Sequence, residues 1–144
     1  MVGDVGFDPM GITNTLASTK YVQAAEIKHG RVAMLATVGF IIQQKFHFLT
    51  SEADPLKAIT ALGYGPNLQI LSFIGVIELA TWNKTFCKDS TPGDLGFDPM
   101  GQLKGKNQKF IDDMKLKEIK NSRLAMVAII GMIVQNLTFH TPTL

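Results

Sequence analysis

The chain has 144 residues, 46% of them hydrophobic and 18% charged, and its formal net charge at pH 7 is +2. This composition is too apolar for a disordered chain, and so small a charge provides no basic surface for binding nucleic acid. Cys87 is the only cysteine, which excludes an internal disulfide and a CxxC metal site. The length fits one domain, which we expect to cover residues 1–144.

A nine-residue segment occurs twice in the chain. Residues 3–11 read GDVGFDPMG and residues 93–101 read GDLGFDPMG, so eight of nine positions are identical. A longer repeat follows each copy: residues 26–43 align without gaps to residues 118–135, with ten identities in eighteen positions. Two copies of one unit predict two similar substructures that are related by a pseudo-twofold axis.

Each repeat predicts a loop followed by a helix. The GFDP sequence favours turns, whereas the stretch after it lacks Pro and is rich in Ala, Met, Ile and Leu. We place a first helix at about 20–45, a last helix at about 116–139 and a middle helix at about 67–86, just after Gly65 and Pro66. At 1.5 Å per residue these helices are roughly 30–39 Å long, enough to cross a bilayer core of about 30 Å.

Hydropathy by itself leaves two fold classes open. Among the uncharged runs only residues 58–77 reach twenty positions, and this run contains the turn-forming sequence GYGP, so a soluble helical bundle is an alternative. Three spans would put on one side Lys20, Lys84, Lys88, Lys104, Lys106, Lys109 and Lys115, and on the other side only Lys45 and Lys57. Such an asymmetry is typical of membrane proteins. We therefore predict an all-α membrane protein with three transmembrane helices, the first and last of which cross.

Two pairs of charged residues occupy equivalent places in the repeats. Glu26 and Arg31 lie near the start of the first helix, and Glu118 and Arg123 occupy the matching positions of the last. Residues five positions apart are separated by about 140° around a helix, so the two charges of one helix do not face each other well. Across a twofold axis, Glu26 can meet Arg123 and Glu118 can meet Arg31. The alternative is that all four charges are solvated in the headgroup zone.

Small residues at helical spacing predict a close approach of the same two helices, or a surface for a flat ligand. They are Gly30, Ala33, Ala36 and Gly39 in the first helix and Ser122, Ala125, Ala128 and Gly131 in the last.

Polar residues within the predicted spans are candidate ligands. They are Glu26, His29 and Gln43 in the first helix and Glu118, Asn121 and Gln135 at the matching positions of the last. In each helix the second residue follows the first by three positions and the third follows by fourteen more, which places them on one side. An amide deep in a span often has a partner on another helix, and this is the alternative interpretation. The functional interpretation is an axial ligand, because the magnesium of a chlorin ring needs one further oxygen or nitrogen donor.

The sequences EIKHGR and EIKNSR, each after a GFDP loop, resemble the first and third helices of the light-harvesting chlorophyll-binding proteins. The resemblance extends from Gly3 to about His140, and its details are most like the chlorophyll a/c antennas of algae, such as the fucoxanthin or peridinin chlorophyll proteins. It implies that chlorophyll magnesium is bound by Glu26, His29, Glu118, Asn121 and Gln135.

The resemblance implies roles for other residues as well. Arg31 and Arg123 match the arginines of reciprocal ion pairs, and the GFDP loops match segments that hold the ends of two carotenoids. In the middle helix, Gln69 and Glu78 resemble a polar pair that holds accessory chlorophylls. Gln43 is added by internal symmetry, and His140 is a candidate for a peripheral chlorophyll.

The function implied by the resemblance is light harvesting with transfer of excitation to a photosystem, and the chain is not expected to be an enzyme. The implied cofactors are chlorophyll a, chlorophyll c and xanthophyll carotenoids, and the implied location is the plastid thylakoid membrane, crossed several times. The implied partners are a photosystem I or II core, neighbouring antenna subunits and thylakoid lipid. One alternative is a photoprotective member of the same superfamily that dissipates energy. Another is a transporter that uses the charges within the spans.

Overall fold

A computed structural model describes residues 3–12, 19–47, 50–86, 91–101 and 103–139. These residues form four helices, α1 (Thr19–Phe46), α2 (Pro55–Ala61), α3 (Tyr64–Phe86) and α4 (Gln108–Phe139), and no strand. The all-α prediction is therefore confirmed. The two GFDP segments form loops ahead of α1 and α4, which we call the first loop (residues 3–11) and the second loop (residues 93–101).

The bounds of the helices differ from the prediction in three places. The short helix α2 was not predicted; Pro55 occupies its first turn, and the Asp54 carboxylate caps it by accepting a hydrogen bond from Leu56 N at 3.1 Å. Helix α3 begins at Tyr64, since a proline in the first turn is compatible with a helix. Helix α4 begins at Gln108, eight residues earlier than expected.

Helices α1 and α4 form the main contact of the fold. Gly30 and Ala33 of α1 are buried, as are Ser122 and Ala125 of α4. A Cβ atom built on Gly30 would lie 2.2 Å from Ser122 Cβ, so the two backbones approach as closely as a glycine allows. The close packing of small residues predicted from the sequence is present at this level.

The remainder of the predicted stripe of small residues is not at this contact. Ala36, Gly39 and Gly131 are exposed, and a Cβ atom on either glycine would meet nothing within 4 Å. Larger side chains, Phe40 and Gln43, are the buried residues farther along α1. The intimate contact is thus confined to one level of the helix pair, as expected when two helices cross at an angle.

Helix α3 is held mainly by polar contacts. Its described side chains include none that is buried. Near its start, Asn67 Nδ2 donates a hydrogen bond to Ile59 O at 2.7 Å, and near its end Lys84 Nζ donates to Leu95 O at 2.7 Å. Between these contacts, Glu78 pairs with Lys28 of α1. The apolar side chains of α3 are left exposed by the protein itself.

Among the described residues, α4 is the helix that is long and apolar enough by itself to cross a membrane. Helix α1 has a comparable length, but its uncharged stretch, residues 32–44, is shorter than the uncharged residues 124–139 of α4.

Candidate functional site

The two ion pairs between α1 and α4 have the reciprocal pattern expected from the repeats. Arg31 Nε donates to Glu118 Oε1 at 2.7 Å, and Arg123 Nε donates to Glu26 Oε1 at 2.7 Å. Both glutamate side chains are 32% exposed in the isolated chain. Each repeat therefore supplies the arginine that balances the carboxylate of the other, at the level where the helices are closest.

The same arginines bind the loops. Arg31 Nη2 donates to Gly93 O at 2.8 Å, and Arg123 Nη2 donates to Gly3 O at 3.2 Å. The loop glycines have φ of +81° and +80°, respectively, which disfavours any side chain there. Each loop thus contacts the helix of the other repeat.

Apolar contacts also join each loop to the helix of the other repeat. A Cβ atom on Gly93 would lie 2.8 Å from Ile27 Cδ1, and one on Gly3 would lie 3.2 Å from Ile119 Cδ1. The two isoleucines are equivalent residues of the repeated EIK sequence. This exchange of loops was not predicted, because a repeat in the sequence does not show which copy a loop packs against.

The loops and the first halves of α1 and α4 line a cavity of about 1660 Å³. Within each loop an aspartate fixes the turn: Asp4 Oδ1 accepts from Gly6 N and Asp94 Oδ1 accepts from Gly96 N, both at 2.9 Å. Phe7 and Phe97 contribute to the lining yet are more than four-fifths exposed. Two equivalent loops thus present an apolar, open surface to a ligand of considerable size.

His29 is exposed on α1 and has a defined tautomer. Its Nδ1 lies 2.8 Å from Ala25 O, one turn earlier in the helix. A carbonyl oxygen can only accept, so Nδ1 is the donor, and in the neutral imidazole Nε2 then has its lone pair available. An imidazole fixed in this way is well suited to act as a metal ligand through Nε2.

The corresponding donors of α4 are also exposed. Asn121 and Gln135 lie on the surface of the helix pair. Leu124, Val127, Ile130 and Val134, which lie between them on α4, are each more than half exposed. These two candidate metal ligands therefore lie in an apolar surface that the described residues do not cover.

Comparison with known proteins identifies the family. The chlorophyll a-b binding protein family matches residues 1–137. This chain belongs to that family. It is 39% identical to a fucoxanthin-chlorophyll a-c binding protein of Chattonella marina var. antiqua, over 92% of this chain and 65% of the relative. A second protein of that description, from Isochrysis galbana, is 36% identical over 90% of this chain and 70% of the relative.

Other relatives include light-harvesting complex stress-related protein 1 of Chlamydomonas reinhardtii, which is 36% identical over 94% of this chain and 61% of the relative. The chain thus spans about three-fifths to seven-tenths of the length of these curated relatives. The resemblance of the motifs to the chlorophyll-binding family, noted from the sequence, is confirmed.

In this member of the chlorophyll a-b binding protein family, Gln43 differs from its counterpart Gln135. Gln43 is only 5% exposed, and its Nε2 donates to Glu52 O at 2.9 Å and to Thr50 O and Oγ1 at 3.3 Å. Internal symmetry therefore does not extend to the environment of these two amides. The Gln43 side chain holds the segment between α1 and α2, and its role as a ligand remains a prediction.

The candidates of α3 differ from each other as well. Gln69 is exposed, whereas Glu78 is partly buried and forms its ion pair with Lys28. His140 lies outside the described residues.

The sequence reasoning missed two further residues of the helix pair. Lys28 is visible as the third residue of the repeated EIK sequence, but its partner is not. Asn136 is 5% exposed. In the sequence, the feature that could have indicated its importance is its position beside Gln135.

Proposed function

We propose that this member of the chlorophyll a-b binding family is an antenna protein that binds chlorophylls and carotenoids and transfers excitation energy to a photosystem. The observation that carries the proposal is the helix pair α1–α4. The exposed candidate ligands His29, Asn121 and Gln135 lie on the same two helices as two carboxylates, and each carboxylate is paired with an arginine of the other repeat. The chain's contribution is to hold pigments at fixed distances, and we propose no catalytic role.

The residues present fit the ligation of chlorophyll magnesium. Magnesium prefers nitrogen and oxygen donors, and in a chlorin it needs one further ligand, which a residue of the protein would supply. We assign this role to His29 Nε2, to the side-chain oxygens of Asn121 and Gln135, and to the carboxylates of Glu26 and Glu118. Gln43, Gln69, Glu78 and His140 are proposed for the remaining chlorophylls.

The charge balance of the carboxylates is part of the proposed mechanism. An ionised carboxylate in an apolar environment is costly unless it is paired. Arg31 and Arg123 supply the opposite charge to Glu118 and Glu26 and also fix the direction of each carboxylate. A carboxylate has two oxygens, so one contacts the arginine while the other would be available to hold the magnesium. When bound, chlorophyll supplies the absorption of light and the transfer of excitation.

We further propose that α1, α3 and α4 all cross the thylakoid membrane, with α1 and α4 related by a pseudo-twofold axis. The reciprocal ion pairs and the exchange of loops support this arrangement. The charged residues of α1 would be tolerated because they are paired with other helices. Lipid, bound pigment, other antenna subunits and a photosystem I or II core would cover the exposed apolar side chains. Chlorophyll a, chlorophyll c and xanthophylls are the pigments proposed.

The test is refolding of the chain with a total pigment extract from an alga that contains chlorophylls a and c. The purified complex is expected to contain chlorophyll and carotenoid in fixed ratios, and excitation of carotenoid should produce chlorophyll fluorescence. Refolding without pigment is the control. A folded protein that retains no chlorophyll would refute the antenna function and leave the transporter alternative.

A second candidate, energy dissipation, is favoured by the likeness to the stress-related protein of Chlamydomonas reinhardtii. The fluorescence lifetime of the refolded complex separates the two functions. We expect nanoseconds for an antenna, and a strongly shortened lifetime would indicate a quencher.

A further inference from the structure

Among the described residues, one ion pair between helices has no counterpart in the repeat. Lys28 Nζ of α1 donates to Glu78 Oε2 of α3, and the two side chains are 38% and 42% exposed in the isolated chain. Lys28 lies between Glu26 and Arg31 in the sequence, so it is at the level of the two ion pairs that join α1 to α4. The charged residues of three helices therefore meet at one level of the fold.

The equivalent lysine of the last helix is in a different situation. Lys120 occupies the same place in the second EIK sequence, yet within the described part of the chain it forms no ion pair. The difference arises from α3, which places Glu78 beside α1. Lys28 thus combines a repeated sequence position with a contact that only one repeat makes.

Glu78 needs this contact for the same reason that Glu26 and Glu118 need their arginines. Its neighbours along α3 include Ile74, Ile77 and Leu79, which are 45–76% exposed. Among the described residues, Lys28 is the cation that contacts the Glu78 carboxylate. Without it, an ionised carboxylate would lie on an apolar helix surface with no partner, which is unfavourable.

We propose that Lys28 is a positioning residue for a chlorophyll that is held by Glu78. Lys28 binds Oε2 of the carboxylate and balances its charge, so the other oxygen would be left to hold the magnesium. This inference rests on the proposed antenna function and adds to it a third carboxylate that is balanced by a cation from another helix. It also makes pigment on α3 depend on a residue of α1.

The experiment compares variants of the full chain after refolding with the pigment extract described above. Lys28→Met is expected to lose one chlorophyll per protein, measured by extraction and chromatography, and Lys28→Arg is expected to restore it. The absorption difference spectrum between wild type and Lys28→Met should match the spectrum lost in Glu78→Leu. Lys117→Met is the matched control, because Lys117 is an exposed lysine of α4 at a similar level and forms no ion pair among the described residues.

A second background separates positioning from general support of α3. Glu78→Gln provides a neutral oxygen donor that needs no cation, so adding Lys28→Met to Glu78→Gln should remove no further chlorophyll. Hydrogen exchange of α3 in the Glu78→Gln background, followed by mass spectrometry, gives a readout independent of pigment: adding Lys28→Met should leave exchange around residues 74–82 unchanged, and faster exchange there would show that Lys28 supports the helix in general.

The outcomes distinguish the two proposals. If the wild type binds no chlorophyll, the antenna function itself fails. If the wild type binds chlorophyll, the role of Lys28 is overturned when Lys28→Met keeps the full chlorophyll count, when Lys28→Arg does not restore the count, or when Lys117→Met causes the same loss. It is also overturned if Glu78→Leu retains all chlorophyll, because Glu78 would then hold none.

Discussion

Gly30 of α1 and Ser122 of α4 meet at the point where the two helices are closest. A methyl group on Gly30 would lie 2.2 Å from Ser122 Cβ, 2.5 Å from its Oγ and 3.1 Å from its Cα. Ser122 is 1% exposed, and its hydroxyl oxygen has no hydrogen-bond partner among the described residues. The contact therefore depends on the small size of both residues rather than on the serine hydroxyl.

Gly30→Ala is expected to separate α1 from α4. Overpacking typically costs about 1–3 kcal/mol, and here part of the obstacle is backbone, which cannot move aside easily. The thermal unfolding midpoint of the refolded complex should fall markedly. Gly39→Ala is the matched control on the same helix, since a methyl group there meets nothing within 4 Å and helix propensity favours Ala by about 0.5–1 kcal/mol. Equal effects of the two substitutions would contradict the assigned contact, and Ser122→Ala should be tolerated.

Arg31→Leu, on α1, is expected to release the chlorophyll assigned to Glu118 on α4. The cost should lie between the roughly 0–1 kcal/mol of an exposed pair and the about 3–5 kcal/mol of breaking a buried one, because the side chains are about one-third exposed. Pigment analysis and thermal unfolding measure the two effects. Adding Glu118→Gln to Arg31→Leu should recover part of the lost stability, since no lone charge remains.

The control for this prediction is Arg31→Lys, which keeps the charge but lacks the second donor group that binds Gly93 O. It should retain the chlorophyll better than Arg31→Leu. If Arg31→Leu removes only the pigment assigned to His29, or if the double variant is as unstable as the sum of the single ones, the proposed coupling between α1 and α4 is wrong.

His29→Leu is expected to remove one chlorophyll per protein with little effect on folding, because the side chain is exposed and Leu is a good helix former. His29→Asn introduces the residue that occupies the equivalent position 121, and it should retain the pigment through its amide oxygen. Chromatography of extracted pigments distinguishes the variants. An unchanged chlorophyll content in His29→Leu would argue against ligation by His29.

Lys84→Met is expected to loosen the second loop alone. Lys84 Nζ donates to Leu95 O, whereas the equivalent Val5 O of the first loop receives no side-chain donor among the described residues. The amides of Gly6 and Gly96 both donate to an aspartate at 2.9 Å, so they form an internal comparison. In the wild type the Gly96 amide should exchange more slowly than that of Gly6, and Lys84→Met should make the rates similar. Equal rates in the wild type would show that the lysine contact does not protect the loop.

The sequence alone determined the three long helices and the two reciprocal ion pairs between α1 and α4. Helix α1 lies within one residue of its predicted bounds at each end, since its apolar residues and the turn-forming loop before it are local signals. The pairing of Glu26 with Arg123 followed from duplication, because charges that cannot meet within one helix can meet across two equivalent ones. For these helices and these two ion pairs, local patterns of residues and the duplication were sufficient.

The tertiary structure determined which contacts are made by residues that the sequence presents as equivalent. Lys28 and Lys120 share a repeat position, but within the described part of the chain only Lys28 contacts a carboxylate, because α3 places Glu78 beside α1. Gly30 and Gly39 are both helical glycines of the same stripe, but crossing helices approach closely at one level only, so one is buried and the other exposed. These distinctions depend on distances between segments that are far apart in the chain, and a local pattern of residues contains no measure of those distances.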